Sequence, residues 1–495
     1  MQLGGFHTAI INRLNLLLFS SHNRSSIGSK ISNPRTELNV EPTPQLSPYR
    51  DVSVFENTTP THASLMANPF QVLIVGAGSA GLAAALLLHR TLTTHSLPFR
   101  ISIFELRSGP STLGGAINLT PNAVKLLDHI GILKDLKNSG CSVKTIEIIS
   151  SRTLTPLGNL TFGDVDRYGA NSLRIARKDL QAALLAKVAE LGIEVLFSKR
   201  LENIEQTAND ITALFTDGSS VVGDILLGCD GTHSAVRKCI DPDRKPIYTG
   251  LSNTYSYVNP KDLSSLPLKD TSAIIQCRVG SLLLTWSTPS RSEKLFWAAV
   301  MEVPAPQDLS KDGWRTMGDD VTKMKQRVKD TYCSERDPQM GFFADLLEQT
   351  NDDVYFYPVW KLEMSDKWWE GRCLLLGDAA HAMPPLAQGV GLAVEDTALL
   401  DKLLNAHIQN IKNANNGDIN MKEVPWEDIS KRLVKIRMPR VKKDYDRSVG
   451  GFEGLKDKGW FAAALKDWLV WFYLWAVGVK FDEAFKYDVM KEPLD

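Results

Sequence analysis

Residues Gln71-Val-Leu-Ile-Val-Gly-Ala-Gly-Ser-Ala-Gly81 leave the chain few choices of fold. Val72 to Val75 is an unbroken apolar run, as expected of a parallel strand covered on both faces. Glycines follow at once, at 76, 78 and 81, and Ser79 to His89 then reads as an Ala- and Leu-rich helix. Gly76 allows the tight turn out of the strand, and Gly78 lets backbone approach a pyrophosphate. Gly81 lets helix and strand pack closely, and the anion sits at the positive end of the helix. Arg100-Ile-Ser-Ile-Phe-Glu105 supplies the next strand, so 71–105 reads as a βαβ unit. Glu105 is placed to accept hydrogen bonds from a ribose, which favours an adenosine without a 2′-phosphate.

Two later stretches make sense as clamps on the same large dinucleotide. One is Gly228-Cys-Asp-Gly-Thr-His-Ser-Ala-Val-Arg237, reached through a strand at Ile225 to Gly228. The other is Gly371-Arg-Cys-Leu-Leu-Leu-Gly-Asp-Ala-Ala-His381, running on into Met383-Pro-Pro385. Three such stretches in this order point to FAD, held without a covalent link, since no motif supplies an attachment residue.

The rest of the composition narrows the partners. A net charge of −1 over 495 residues gives no global field for nucleic acid or an anionic membrane. A small-molecule substrate is the expectation, with no nucleic-acid partner. Lys431 to Arg447 is basic, yet Leu433, Val434, Ile436, Met438 and Val441 interleave it, so it reads as the exposed face of a helix. The six cysteines form no CxxC pair and no ligand spacing with histidine, so reduced thiols in a reducing compartment and no metal are expected. Met1 to Thr36 holds Arg13, Arg24, Lys30 and Arg35 and no acidic residue. Residues 1–67 therefore read as a disordered or targeting extension, with a cytoplasmic location expected and a mitochondrial one as the alternative. Residues 451–495 form a Trp-rich helical segment, too short in its apolar part to span a bilayer. That segment is expected to pack on the body, with peripheral membrane contact as the second reading.

With these residues in hand, the chain from Phe70 to about Arg447 resembles the FAD-dependent aromatic-ring hydroxylases, the salicylate and para-hydroxybenzoate hydroxylase type. The resemblance implies a Rossmann-like α/β FAD domain with an inserted antiparallel-sheet substrate domain. Here that gives 68–245 with 361–450 for FAD, and 246–360 with part of 140–165 for substrate. Gly114-Gly-Ala-Ile-Asn-Leu-Thr-Pro-Asn-Ala123 matches the family's glycine loop, which implies backbone at Gly115 and Ala116 beside the flavin. Arg177 matches the arginine that reaches the pyrophosphate, a task suited to guanidinium geometry. Asp230 matches the Asp-Gly motif that serves FAD and the nicotinamide cofactor, and Asp378 the carboxylate that accepts from the ribityl chain. Pro384 and Pro385 would shape the substrate side of the ring, and His381 would serve in packing or behind the site. The helix opening around Gly389 to Gly391 would direct donors and a positive dipole end towards the flavin pyrimidine.

The implied activity is a monooxygenase that uses NADPH or NADH and O2, acting through a flavin C4a-hydroperoxide. Its products would be a hydroxylated or epoxidised aromatic, polyketide or terpenoid-like molecule. A flavin-dependent oxidase or dehydrogenase, and a non-catalytic flavin-binding protein, would carry the same clamps and stay open. Tyr255 stands where some salicylate-hydroxylase-like enzymes carry an arginine, and Trp286 where they carry a tyrosine. A pocket of Tyr255, Tyr257 and Trp286 would suit a larger, less charged substrate, with Tyr255 or Tyr257 polarising a hydroxyl.

Overall fold

A computed structural model describes residues 69–495, except 111–113, 263, 289–293, 307–313, 315–317, 319, 335–337, 352, 415–418, 458, 477–480 and 495. The extension expected at 1–67 lies outside the described residues.

In chain order the first strands are β1 (Phe70–Val75), β2 (Phe99–Phe104), β3 (Ala116–Leu119), β4 (Cys141–Val143), β5 (Thr145–Ser150) and β6 (Pro156–Thr161). Next come β7 (Ser172–Ala176), β8 (Glu194–Leu196), β9 (Leu201–Gln206), β10 (Ile211–Phe215), β11 (Ser220–Gly223) and β12 (Ile225–Gly228). The remainder are β13 (Ile247–Val258), β14 (Ser272–Gln276), β15 (Ser281–Trp286), β16 (Leu295–Glu302), β17 (Tyr355–Lys361), β18 (Trp369–Glu370) and β19 (Cys373–Leu375). The helices that matter here are α1 (Ser79–Thr94), α2 (Pro121–Ile130), α3 (Arg177–Glu190), α4 (Ala235–Ile240), α5 (Val321–Tyr332) and α6 (Gly341–Gln349). They continue with α7 (Asp378–His381), α8 (Gly389–Ala414), α9 (Trp426–Glu453) and α10 (Trp460–Ala476).

A six-stranded sheet runs β18-β19-β12-β1-β2-β8, parallel throughout except for β18 on β19. Its central strands read as apolar runs because helices cover both faces, and Val72, Ile74, Ile103 and Leu226 are 0 % exposed. Each such side chain contributes ~1.5–3 kcal/mol of burial. Pro121 opens α2 where its missing donor costs nothing, and left-handed Gly131 closes it.

A seven-stranded sheet runs β17-β13-β16-β15-β14-β5-β6 and is antiparallel except for β5 on β14. Its strands come from two stretches of the chain, 145–161 and 247–361. One face packs on α5 and α6 through Trp297, Met324, Tyr332, Phe343 and Leu346. Directly opposed residues of an antiparallel pair share a face. Tyr257 opposes Phe296 while Val258 and Trp286 both oppose Leu295, so Trp286 lies on the face turned away from Tyr257. Trp286 is 6 % exposed within the helix-covered core. The expected pocket of Tyr255, Tyr257 and Trp286 is thereby corrected: Trp286 does not share a face with the two tyrosines. A one-residue difference in register moves a side chain through the sheet.

The small antiparallel sheet β3-β7-β4 stands between these layers. At the C-terminal end, α10 packs on β6: Leu474 lies 2.8 Å from where a Cβ on Gly158 would stand, and Asp467 accepts from Ser150 Oγ at 2.6 Å. Its outer side leaves Trp468, Trp471, Phe472 and Trp475 exposed.

Candidate active site

The groove above the parallel sheet is built from backbone that tolerates no side chain. Gly76 leaves β1 with φ of +107°, and a Cβ there would lie 2.4 Å from the Cys229 carbonyl oxygen. A Cβ on Gly81 would lie 2.0 Å from the Gly76 carbonyl oxygen. Both positions are closed by neighbouring main chain, so glycine is required twice over. Gly78 differs: nothing lies within 4 Å of its Cβ position, and the space beyond is open. Gly78 caps α1 with no side-chain bond, so the first N–H groups of the helix face that space without an internal acceptor.

Glu105 follows β2 and accepts from Ala77 N at 2.9 Å and Arg107 N at 3.0 Å. Each carboxylate oxygen keeps acceptor capacity for a hydroxyl. Gln181 of α3 donates to the Ala77 carbonyl at 2.8 Å and steadies the same turn. Arg177 opens α3 with an exposed side chain, and its backbone N donates to Gly115 O at 3.1 Å. Ala116 begins β3 and pairs with Ala176. A Cβ on Gly115 would stand 3.1 Å from both Tyr255 Cε2 and Phe296 Cζ, so the glycine loop meets the seven-stranded sheet here.

Asp230, expected at the cofactor, lies just after β12 and against the start of α4. Its Oδ2 accepts from Ala235 N at 2.6 Å and Val236 N at 3.2 Å, capping α4, while Oδ1 is buried with no partner. Burial raises its pKa. From α4, Arg237 donates to Thr232 O at 2.7 Å, Ala379 O at 2.9 Å and Arg244 O at 3.1 Å. That guanidinium, 1 % exposed, ties the second clamp to the third. Sequence reading placed Arg237 in the motif without giving it this work.

Asp378 opens α7 with its carboxylate exposed, and Oδ1 lies 4.0 Å from a Cβ position on Gly389. Gly391, in the first turn of α8, leaves only 3.0 Å between such a Cβ and Asn122 Nδ2. Around that helix end Asn122 Oδ1 and Gln388 Oε1 are buried without partners. Neither residue stood out in the sequence, because an amide is recognised as a site only when its partners are seen to be missing. His381 is 2 % exposed and pairs with Asp396 at 2.7 Å, which fits packing rather than proton transfer to a ligand. Asp396 accepts from Gly377 N at 2.9 Å and from Arg437 Nε at 2.7 Å. Arg437 also pairs with Glu395 at 2.8 Å, and Asn122 Nδ2 donates to Glu395 at 2.7 Å. Arg437 is 0 % exposed, so the basic stretch 431–447 is not all an outer face; Lys431, Lys442 and Lys443 are, and Arg437 points in.

Over the groove, Tyr255 stacks on Tyr355 at 5.4 Å, and Tyr257 lies 5.1 Å from Phe296 with Lys294 4.8 Å above its ring. Burial raises the pKa of both hydroxyls, so they stay protonated at neutral pH and act as neutral phenols. A separate cavity of about 560 Å3 is lined by Val124, Lys125, Leu133, Cys141, Ser172 and Leu173 and includes none of the clamp residues.

Open space at Gly78, unbonded helix N–H groups and orphaned amides at Asn122 and Gln388 fit a phosphate-and-flavin dinucleotide. Known proteins agree. The chain is 28 % identical over 338 residues to 6-hydroxynicotinate 3-monooxygenase of Bordetella bronchiseptica, covering 67 % of this chain and 82 % of that protein. It is 29 % identical over 353 residues to FAD-dependent monooxygenase ntnJ of Nectria sp, covering 68 % and 76 %. The crystal structure of Klebsiella pneumoniae HpxO complexed with FAD and uric acid superposes with a TM-score of 0.67 at 19 % identity, covering 86 % of this chain and 98 % of that one. The match to the FAD binding domain family runs over residues 69–415, and the chain belongs to that family, with FAD as its cofactor.

Proposed function

We propose that this FAD-dependent monooxygenase oxidises NADPH or NADH and inserts one atom of O2 into an electron-rich aromatic or olefinic carbon of a small molecule of aromatic, polyketide or terpenoid type. The carrying observation is the meeting of the glycine loop with the tyrosine face at Gly115, which supports a substrate layer held against a flavin layer. Relatives named as hydroxylating monooxygenases of 6-hydroxynicotinate and of urate support an aromatic substrate.

Bound FAD supplies the redox and dioxygen chemistry. The chain's own residues hold and orient. Ser79 to Gly81 and Arg177 receive the phosphates, Glu105 a ribose, and Asp378 the ribityl chain. The end of α8, with Asn122 and Gln388, receives the pyrimidine edge. Tyr255, Tyr257 and Phe296 cover the substrate and keep water out. As neutral phenols, the two tyrosines orient and polarise an oxygen of the substrate without acting as bases.

Purified yellow protein is to be mixed with NADPH or NADH and candidate aromatics under 18O2. Label in the product with consumption of one reduced nicotinamide per oxygenation is the expected result. Peroxide release with unlabelled product would instead mean an oxidase.

Among the described residues no helix is long and apolar enough to cross a membrane. The exposed aromatic side of α10 supports peripheral contact with a lipid surface, where amphipathic aromatics are favoured. Co-sedimentation with vesicles, reduced in a variant carrying Trp468→Ser and Trp475→Ser, checks it.

A further inference from the structure

Arg174 is a buried cation that the flavin cradle does not use. It lies on β7, opposite Asn118 of β3 and Cys141 of β4. Leu173 and Ile175 turn into the core of the FAD layer, so alternation sends Arg174 the other way, towards the substrate sheet. It is 5 % exposed. No carboxylate among the described residues pairs with it, and its Nε is buried without a hydrogen-bond partner. Tyr257, across the gap on β13, is its first electrostatic neighbour. The Tyr257 hydroxyl is also buried without a partner, and so are both polar atoms of the Asn118 amide. An unpaired buried charge is among the costliest states a fold can hold, and orphaned donors cluster where a ligand is missing.

The three groups do not satisfy one another. Burial pushes Arg174 down to about 10, which still leaves it charged at neutral pH. Tyr257 is pushed up despite that charge, so it stays a neutral hydroxyl and the two form no ion pair. Two donors and an amide facing one space ask for an oxygen that carries negative charge. We infer that Arg174, Tyr257 and Asn118 form a subsite for an oxyanion on the substrate, a carboxylate or an ionised phenol or enol. This rests on the monooxygenase reading, because the subsite adjoins the Tyr255 and Phe296 rings that press on Gly115. The expectation of a less charged substrate rests on Tyr255 in place of an arginine and Trp286 in place of a tyrosine. The cation missing there enters from β7 instead.

The test uses the full-length FAD-loaded protein and two matched probe pairs: benzoate with benzamide, and 4-cyanophenol below and above its own pKa. Perturbation of the flavin absorbance gives affinities, and thermal unfolding gives an independent measure. Wild type is expected to bind at least one ionised probe about tenfold or more tighter than its neutral match. Which pair shows the preference tells a carboxylate subsite from a phenolate one. Arg174→Met is expected to abolish the preference with the neutral probes bound as before, and Arg174→Lys to retain part of it. Without ligand, Arg174→Met is expected to melt no lower than wild type, since it removes an unpaired cation; a structural arginine would behave oppositely. A wild type with no preference for either ionised probe overturns the inference. So does a Met variant that keeps the preference, or one that melts well below wild type. A colourless protein overturns the FAD reading instead, and the unfolding arm then still decides whether Arg174 recognises an anion.

Discussion

Arg437 and Arg174 are both arginines sealed from solvent, at 0 % and 5 % exposure, yet they are held in opposite ways. Behind the cradle, burial alone would lower Arg437, but Glu395 and Asp396 outweigh it and hold the guanidinium above its ordinary range. Asn122, His381, Gly377 N and Arg440 complete the shell around the two carboxylates. In front of the cradle, Arg174 has a hydroxyl and a thiol for neighbours and, among the described residues, no compensating charge. The first arrangement fixes α8 against the Gly377 loop and α9. The second leaves an appetite for a partner from outside. Burial by itself therefore says little about what a charged residue does; the opposite charge set against it separates a strut from a binding group.

The largest effect should come from breaking the complete shell. Arg437→Met removes the one cation shared by two buried carboxylates and leaves Glu395 only Arg440, and unfolding free energy is expected to fall by about 3–5 kcal/mol, read by chemical denaturation. Loss of the yellow colour on gel filtration should accompany it, because Asp396 also holds Gly377 N. A loss of under about 1 kcal/mol would erase the distinction drawn above.

A carboxylate on the same helix tests the contrast with the opposite sign. Asp401, 4 % exposed, has a buried Oδ1 without a partner, and burial pushes its pKa up to about 6. An acid whose folded value exceeds its unfolded value of about 4 loses stability as the pH rises between the two. Asp401→Asn should remove that slope. Relative to wild type it is expected to gain about 2 kcal/mol between pH 4 and pH 7, measured by urea unfolding at each pH. The smallest effect belongs to the incomplete shell itself: Arg174→Met is expected to raise stability in the absence of ligand by about 1 kcal/mol.

How far the sequence foretold this follows from what kind of signal each part sends. The groove was legible because glycine is demanded by main chain: Gly76 and Gly81 are crowded by carbonyl oxygens whatever the ligand. The parallel strands β1, β12 and β19 were legible as apolar runs, and α2 by its proline and glycine ends. Strands of three or four residues such as β3 and β4 send almost no periodic signal. Ser172-Leu-Arg-Ile-Ala176 does alternate, and reading it as a strand would have set Arg174 against Leu173 and Ile175. Arg177, three residues on, belongs to a motif, and Arg174 does not. Leu433, Arg437 and Val441 recur at helical spacing, a pattern that puts the arginine on the apolar stripe; the surrounding lysines masked it. Trp286 was misplaced because facing in a sheet depends on register, which one sequence leaves unset.

The central layer interleaves early and late parts of the polypeptide, with β19 beside β12 and β12 beside β1. Chains fold as they leave the ribosome, amino-terminal parts first. The opening βαβ unit thus waits, nascent and unfinished, until Leu375 and then Arg437 have been synthesised. A complete cradle for the cofactor in this architecture thus exists only after the polypeptide has been made through Arg437, however early its glycine turn is born.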